Sequence, residues 1–421
     1  MNHGRSLRKN LDTVGIVAGF IASFLISPLM SVAVAADTQV GIGITLPLTG
    51  ADAEDSTKVE EGFKMAIDEA NESHALPGVK LEAIVYDTAT ATAGQYDPAS
   101  AATSAKKLLA NDKVVANLGP YMSGEGKAMA PLLSVGSLAT ITPTSTNPDI
   151  TDPKFADQFR PGKKAIYFRT CTTDAFQGPN MANYMKQTLG VKTVYVLDDG
   201  GAGGVGGANL FEEQAKKIGL QVLGHDQLNP KEADYSVILT KIKSTNADAI
   251  YYGGVAGAGT KLVQQSYTVI PKVIKASADG IYGPDILKGA GFPAAAGWYV
   301  TTPAPHIVGN KEADDWVARF VKRYNSQPSD YSALAYDAGL VVVDAIKRVA
   351  ASGKPITREN VRDAIQTSKV KGLQGVIAFD DNGDVLDKTI SVFQVVQDKN
   401  FPNEDVAHQF KYVGVAPAQI N

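Results

Sequence analysis

Two spacings of hydrophobic residues alternate along most of the chain, and each predicts a different element. Between Lys58 and Glu72 the apolar residues recur every three or four positions, as on one face of an amphipathic helix. Between Val114 and Leu118 they form a short, nearly continuous run, which is typical of a buried strand. The pattern predicts strands at 39–45, 80–86, 114–118, 138–142, 193–197, 221–226, 249–252 and 272–275, and helices at 58–72, 98–111, 126–134, 179–189, 208–218, 236–244, 261–267, 312–324 and 333–351.

The repeated order of strand and helix predicts parallel sheets with helices on both faces. A polar stretch between Thr151 and Lys164 interrupts the alternation and divides it into two runs, which indicates two α/β lobes. The C-terminal part differs, because strands predicted at 376–379 and 390–396 flank the segment "DDNGD". Its Asn382-Gly383 pair is a hairpin signal, so we expect these two strands to be joined by a turn.

The first 36 residues have the pattern of a secretory signal peptide. A basic start precedes an apolar run from Val14 to Met30, and small residues follow it. The run is also about long enough to span a membrane as an anchor, but the small residues favour cleavage near Ala35 or Ala36. We therefore predict an exported, periplasmic protein whose residues 37–421 form two domains.

Composition and charge narrow the class of function. The formal net charge is −4 and no basic patch is present, which argues against nucleic acid as a partner. Cys171 is the single cysteine of the sequence and has no histidine near it, so we expect a buried small residue rather than a nucleophile. The five histidines lie outside the segments that follow the strands. We therefore expect no catalysis, no metal and no cofactor.

A glycine-rich segment, "LDDGGAGGVGGANLF", lies between a predicted strand and a predicted helix. Gly201, Gly203 and Gly206 spell G-x-G-x-x-G, and Asp226 follows about 20 residues later, as in dinucleotide-binding sites. The motif is not in the first strand–helix unit, however, and an exported protein meets little NAD. We expect the backbone of residues 200–207 to line a ligand cleft, with NAD binding by an exported enzyme as the alternative.

The stretches that follow the predicted strands are rich in Gly, Ser, Thr and Asp, and in parallel sheets such stretches border the ligand site. Several form a recognisable series, "GIGITLPLTG", "LGPYMSG", "ITPTSTNPDIT", "FRTCTTDAFQGP", "DAIYYGG" and "GWYVTTP". Through these motifs, which extend over nearly all of residues 37–421, the sequence resembles the periplasmic solute-binding proteins of ABC transporters, in the branched-chain amino-acid-binding branch.

The resemblance implies an α/β fold of two Rossmann-like lobes with parallel sheets, joined by three hinge crossings, as in type I periplasmic binding proteins. The crossings would lie near 170–173, 301–305 and 372–375. Lobe 1 would comprise 37–171 and 304–374, and lobe 2 would comprise 172–303 and 375–421. The family binds one ligand between the lobes, which close on it, and carries out no catalysis.

The resemblance also assigns roles to polar residues that follow two adjacent strands. Ser123, Thr144 and Thr146 match family positions that hold an amino acid's carboxylate and share in holding its ammonium group, and Tyr121 and Ser145 lie beside them. Independently, a hydroxyl and free N–H groups at the start of a helix form an anion site. The alternative is that these hydroxyls are ordinary caps and turn residues.

One acidic residue and three departures from the family pattern bear on the ligand. Asp279 matches the acidic residue that neutralises the ligand's ammonium group, although it could instead be a solvated turn residue. Gly203 and Val255 stand where the family usually has aromatic residues, and Asp55 stands where it often has an aromatic or small apolar one. We therefore expect a roomier and more polar cleft than one made for leucine.

These observations predict a binding protein that delivers an amino acid or related small carboxylate to an ABC transporter permease, and that is a monomer. A ligand-sensing module of the same fold is the alternative within the family. No signalling domain is evident in the sequence, which argues against the sensing module.

Overall fold

The computed structural model describes residues 37–418. The predicted signal peptide, with its cleavage near Ala35 or Ala36, lies outside them. The strands are β1 (Thr38–Leu46), β2 (Val79–Asp87), β3 (Ala89–Thr90), β4 (Gln95–Tyr96), β5 (Val114–Leu118), β6 (Ala139–Thr142), β7 (Tyr167–Arg169), β8 (Thr193–Asp198), β9 (Gln221–Gln227), β10 (Ala249–Gly253), β11 (Ile274–Ser277), β12 (Tyr299–Thr302), β13 (Val370–Gly372), β14 (Gly375–Ile377), β15 (Ser391–Val395) and β16 (Phe410–Val415). The helices are α1 (Ala53–Glu72), α2 (Pro98–Ala110), α3 (Ser123–Val135), α4 (Ala156–Phe159), α5 (Asp174–Gln187), α6 (Ala202–Lys217), α7 (Ser236–Thr245), α8 (Ala256–Val269), α9 (Pro284–Ala290), α10 (Asp314–Tyr324), α11 (Asp330–Ala351), α12 (Arg358–Gln366) and α13 (Val406–Gln409). Across this part of the chain, no helix has both the length and the apolar character needed to cross a membrane.

The strands form two large sheets, which confirms the predicted α/β architecture. The first sheet has the order β2-β1-β5-β6-β7, and all its neighbours are parallel. The second has the order β16-β15-β12-β11-β10-β8-β9. It is parallel from β9 to β12 and antiparallel from β12 to β16. The parallel neighbours require crossover connections, which the helices between the strands supply.

Burial on both faces explains why the central strands have continuous rather than alternating hydrophobic patterns. Every residue of β5 and β10 is buried, because helices cover both sides of each sheet. The long helices α1 and α11 pack so closely that a Cβ at Gly62 would collide with the carbonyl oxygen of Ser332. The helix pair therefore needs a glycine at that crossing.

Where the chain passes between the two sheets, its segments run side by side. The backbone N–H of Thr172 donates to the carbonyl of Pro303 at 2.7 Å, and the Ser391 hydroxyl donates to the carbonyl of Ala304 at 2.7 Å. Two of these segments coincide with the predicted crossings near 170–173 and 301–305. The exact limits of the lobes stay a prediction.

Cys171 lies in the first of these segments and is fully buried, as predicted. Burial raises the pKa of its thiol well above the ordinary value. Because the thiolate is the reactive form, this cysteine is unreactive in the folded protein.

The hairpin predicted around Asn382-Gly383 is wrong in its strands. β14 pairs with β13, whereas β15 pairs with β12 and β16. The turn itself forms, but the Phe379 ring packs on Phe168 at 5.1 Å, and the N–H of Arg169 donates to the carbonyl of Gly383. These contacts hold the turn against β7 of the first sheet. The chain therefore remains beside the first sheet beyond residues 372–375 and joins the second sheet only at β15.

Candidate functional site

Loops at the carboxyl ends of strands from both sheets enclose a cavity, as expected for parallel sheets. The predicted site residues that line it are Asp55, Tyr121, Ser123, Thr144, Thr146, Gly203, Val255 and Asp279. Ser145 is the exception, because it is buried behind Ser123 and does not reach the cavity. The sequence analysis missed six further polar residues of the lining, which are Asp52, Tyr96, Asp174, Asp199, Tyr282 and Tyr331.

A chain of hydrogen bonds fixes the direction of the Ser123 hydroxyl. Tyr167 donates to Ser145 Oγ at 2.7 Å, and Ser145 donates to Ser123 Oγ at 3.4 Å. The backbone N–H of Asn147 also donates to Ser123 Oγ, at 3.1 Å. With two bonds accepted, the Ser123 hydroxyl has its own proton left to donate. Ser123 begins helix α3, so this donor and the first N–H groups of the helix suit an anion in the cavity.

Thr144 and Thr146 are arranged differently from Ser123. The Thr144 hydroxyl donates to the carbonyl of Tyr121 at 2.6 Å, and the Thr146 hydroxyl donates to a carboxylate oxygen of Asp174 at 3.0 Å. Because both hydroxyl protons are used within the protein, these oxygens are left as acceptors. The two threonines are therefore better suited to a ligand's ammonium group than to its carboxylate.

Asp279 is buried at the cavity and is held by two neutral donors. The Gln177 side chain donates to it at 2.9 Å, and the Tyr331 hydroxyl donates to its other oxygen. Burial nevertheless raises the pKa of this carboxyl, because these hydrogen bonds replace only part of its lost hydration. The ammonium group of a ligand would place a positive charge beside Asp279 and would stabilise its ionised form.

Asp199 has a structural role at the edge of the cavity. Its two carboxylate oxygens accept hydrogen bonds from the N–H groups of Gly201 at 2.8 Å and Val255 at 2.9 Å. It thereby fixes the starts of helices α6 and α8. Burial raises the pKa of this carboxyl as well.

Two carboxylates meet where α1 and α9 approach each other. The backbone N–H of Asp55, on α1, donates to a carboxylate oxygen of Asp285, on α9, at 3.1 Å. Burial first, and then the facing Asp285 carboxylate, raise the pKa of Asp55. Burial also raises the pKa of Asp285. Asp55 was predicted at the site, but its pairing with Asp285 was not, because the two residues are 230 positions apart in the chain.

Gly201, Gly203 and Gly204 of the glycine-rich segment line the cavity, as expected, but most of the segment is helical rather than a loop. Helix α6 begins at Ala202, and Gly203 lies in its first turn. A Cβ at Gly203 would be 3.3 Å from Ser123 Oγ, which places this position opposite the anion-binding end of the cavity. Asp226, the acidic residue of the dinucleotide alternative, accepts a hydrogen bond from Lys241 at 2.7 Å. It is therefore already engaged within the protein.

Three buried carboxyl groups at or near the cavity predict an unusual dependence of stability on pH. Burial raises the pKa of Asp52 to about 7, of Asp174 to about 8 and of Glu125 to about 8, from ordinary values of 3.8, 3.8 and 4.5. The folded protein therefore holds protons that the unfolded chain releases above pH about 4. Stability should fall as pH rises from about 4 to 8, and the urea midpoint of the ligand-free protein should be higher at pH 5 than at pH 8.5.

The matched control for this pH dependence is Asp174→Asn, which removes one of the three titrating groups and should flatten the profile. A urea midpoint that rises between pH 5 and pH 8.5 would contradict the assignment of raised pKa values to these carboxyls.

The ionisable side chains that line the cavity include several aspartates but no basic residue. Lys, Arg and His are absent from the residues that line it. Throughout residues 37–418, no group of three or more His, Cys, Asp or Glu residues is arranged to hold a metal ion. The cavity thus has one end that suits an anion, and the rest of its lining is rich in acidic side chains.

Comparison with known proteins gives a consistent set of relatives. A sequence profile of the family described as periplasmic binding protein matches residues 39–400. Leu/Ile/Val-binding protein homolog 3 of Brucella melitensis biotype 1 is 25% identical over 375 residues, which cover 89% of this chain and 96% of that protein. The leucine-, isoleucine-, valine-, threonine- and alanine-binding protein of Pseudomonas aeruginosa is 27% identical over 374 residues, which cover 89% and 94%. The crystal structure of the leucine binding protein LivK from Thermotoga maritima superposes with a TM-score of 0.76 at 27% identity, covering 90% of this chain and 98% of that one.

Proposed function

This chain belongs to the periplasmic binding protein family, and on that premise we propose that it captures an amino acid or related small carboxylate outside the cytoplasm. It then delivers the ligand to an ABC transporter permease through closure of its cleft. The family consists of binding proteins and not of enzymes. The relatives named for leucine, isoleucine and valine support an amino acid as the ligand class.

The observation that carries this proposal is the orientation of the Ser123 hydroxyl, which accepts two hydrogen bonds and keeps its own proton free to donate. Its free proton and the N-terminus of α3 form one end of the cavity, where a carboxylate would bind. The buried acceptors Thr144, Thr146 and Asp279 line the same cavity and would receive an ammonium group. The two ends match the two charged groups that every free amino acid carries.

A ligand screen tests the proposal. We expect the true ligand, among amino acids and small carboxylates, to raise the thermal unfolding temperature, because at 100 times its Kd it should stabilise the folded state by about 2.7 kcal/mol. Replacing Ser123 with alanine should weaken binding of that ligand by about 1–3 kcal/mol, the effect of leaving a desolvated carboxylate without its donor. Thermal unfolding measures the stabilisation, and isothermal titration calorimetry measures the change in Kd.

Ser244→Ala is the matched control, because Ser244 is exposed at the end of helix α7. It should bind the ligand as the unaltered protein does. An unchanged Kd in Ser123→Ala would remove Ser123 from the site, and the absence of any stabilising ligand in these classes would refute the proposed function.

A further inference from the structure

The cavity has more acidic side chains than a neutral amino acid requires. Asp52, Asp55, Asp174, Asp199 and Asp279 line it, and no cationic side chain does. A single carboxylate is enough to balance the ammonium group of an amino acid, and Asp279 occupies the position suited to that role. The remaining acidic groups need a separate explanation.

The acidic residues differ in how far the protein itself satisfies them. Both oxygens of Asp199 are held by backbone N–H groups, and Asp174 accepts the Thr146 hydroxyl. In contrast, Asp55 and Asp285 face each other, and the charged groups that act on Asp55 are all acidic. A positive charge beside this pair would be attracted to it and would favour the ionised form of both carboxyl groups.

A second and independent observation comes from Tyr121. Its side chain lines the cavity and is only 8% exposed, yet among the described residues its hydroxyl has no hydrogen-bond partner. Because Tyr121 lines the cavity, this hydroxyl is free to form a hydrogen bond with a bound ligand. Burial, and next the negative charges of Asp55 and Asp285, raise the pKa of this hydroxyl.

The aromatic rings around the cavity support the same conclusion. Tyr96, Tyr121, Tyr282 and Tyr331 all line it, and the rings of Tyr282 and Tyr331 meet edge to face at 5.9 Å. Faces of tyrosine rings attract cations, and carboxylates beside them add to that attraction.

We propose that the ligand is an amino acid with a second positive charge on its side chain. Asp55, which lines the cavity, and Asp285, which adjoins Asp55 without lining the cavity, together balance this charge while Ser123 holds the carboxylate. This inference rests on the proposed function, since it names the ligand class of the same cleft. The cation is an organic ammonium or guanidinium group, because the described residues offer no cluster suited to a metal ion.

A comparison of ligands that differ only in charge tests this inference without altering the protein. By isothermal titration calorimetry, L-lysine should bind at least tenfold more tightly than L-norleucine, which has the same straight chain without the terminal ammonium group. Nε-acetyl-L-lysine, which keeps the nitrogen but not its charge, should also bind at least tenfold more weakly than lysine.

Two variants identify the residues involved. Asp55→Asn and Asp285→Asn should each weaken lysine binding at least tenfold and leave norleucine binding within threefold. Asp112→Asn, at an exposed position before β5, is the control and should change neither. Because the ligand comparison uses the unaltered protein, the inference stays testable even if one of these variants does not fold.

Each outcome is decisive. If norleucine binds as tightly as lysine, or if the variants weaken both ligands equally, the inference is overturned while the proposed function stands. If neither ligand binds and no amino acid or small carboxylate stabilises the protein, the proposed function fails and the inference fails with it.

Discussion

Replacing Arg169 with methionine should lower the free energy of unfolding by about 3–5 kcal/mol, the range found when one partner of a buried ion pair is removed. The Arg169 side chain is fully buried and pairs with Asp384. It also donates to the carbonyls of Ser145 at 2.7 Å and Asn147 at 2.6 Å, and to the Thr151 hydroxyl at 2.7 Å. Methionine fills much of the volume but satisfies none of these acceptors. Urea unfolding measures the loss.

The same substitution should also weaken ligand binding, because Arg169 holds the turn from which Ser145 and Asn147 orient Ser123. Lys164→Met is the matched control, since the Lys164–Asp363 pair is largely exposed. Such surface pairs contribute less than about 1 kcal/mol. If Arg169→Met is as mild as this control, the buried pair does not stabilise the fold.

Replacing Gly203 with tyrosine should weaken the binding of amino acids and should not prevent folding. Gly203 is helical and its Cβ would point toward Ser123 Oγ at 3.3 Å, so a tyrosine ring would enter the anion-binding end of the cavity. A clash of this kind costs several kcal/mol for a ligand that needs the space. Because every amino acid places its carboxylate at this end, we expect short and long amino acids alike to lose about a hundredfold in affinity. Calorimetric titration of glycine, alanine and longer amino acids measures this change.

Gly203→Ala separates the effect of the ring from that of the helix. Alanine favours the helix by about 1 kcal/mol over glycine and adds a single methyl group. It should raise the urea midpoint and leave ligand preference nearly unchanged. If Gly203→Tyr folds normally with unchanged affinity and preference, residue 203 does not border the bound ligand.

The sequence was most informative where one local pattern fixed one element. The strand at Val114–Leu118 was predicted with the bounds that the structure shows, because a buried parallel strand is a short apolar run on its own. Ser123 and Asp279 were found through the rule that ligand sites follow the ends of parallel strands, together with the resemblance. Asp174 and Asp199 follow strand ends too, so the same rule could have found them.

The features that the sequence did not predict depend on contacts between distant parts of the chain. Asp55 and Asp285 are 230 positions apart, and no local spacing brings them together. Helix α6 includes glycines that have poor helix propensity, and its packing against β10 and its anchoring by Asp199 outweigh that propensity. The turn at Asn382-Gly383 was correctly signalled, but contacts with β7 decide which strands lie on either side of it.

The burial of Cys171 has a practical consequence for measuring motion in solution. Because the single thiol of this chain is buried and protonated, thiol-reactive dyes have no site on the unaltered protein. Cysteines introduced at Val135, at the end of α3, and at Val237, in α7, would be labelled selectively, since these positions are 76% and 84% exposed and stand beside different sheets. Energy transfer between the two dyes would then report the opening and closing of single molecules without first deleting a native residue.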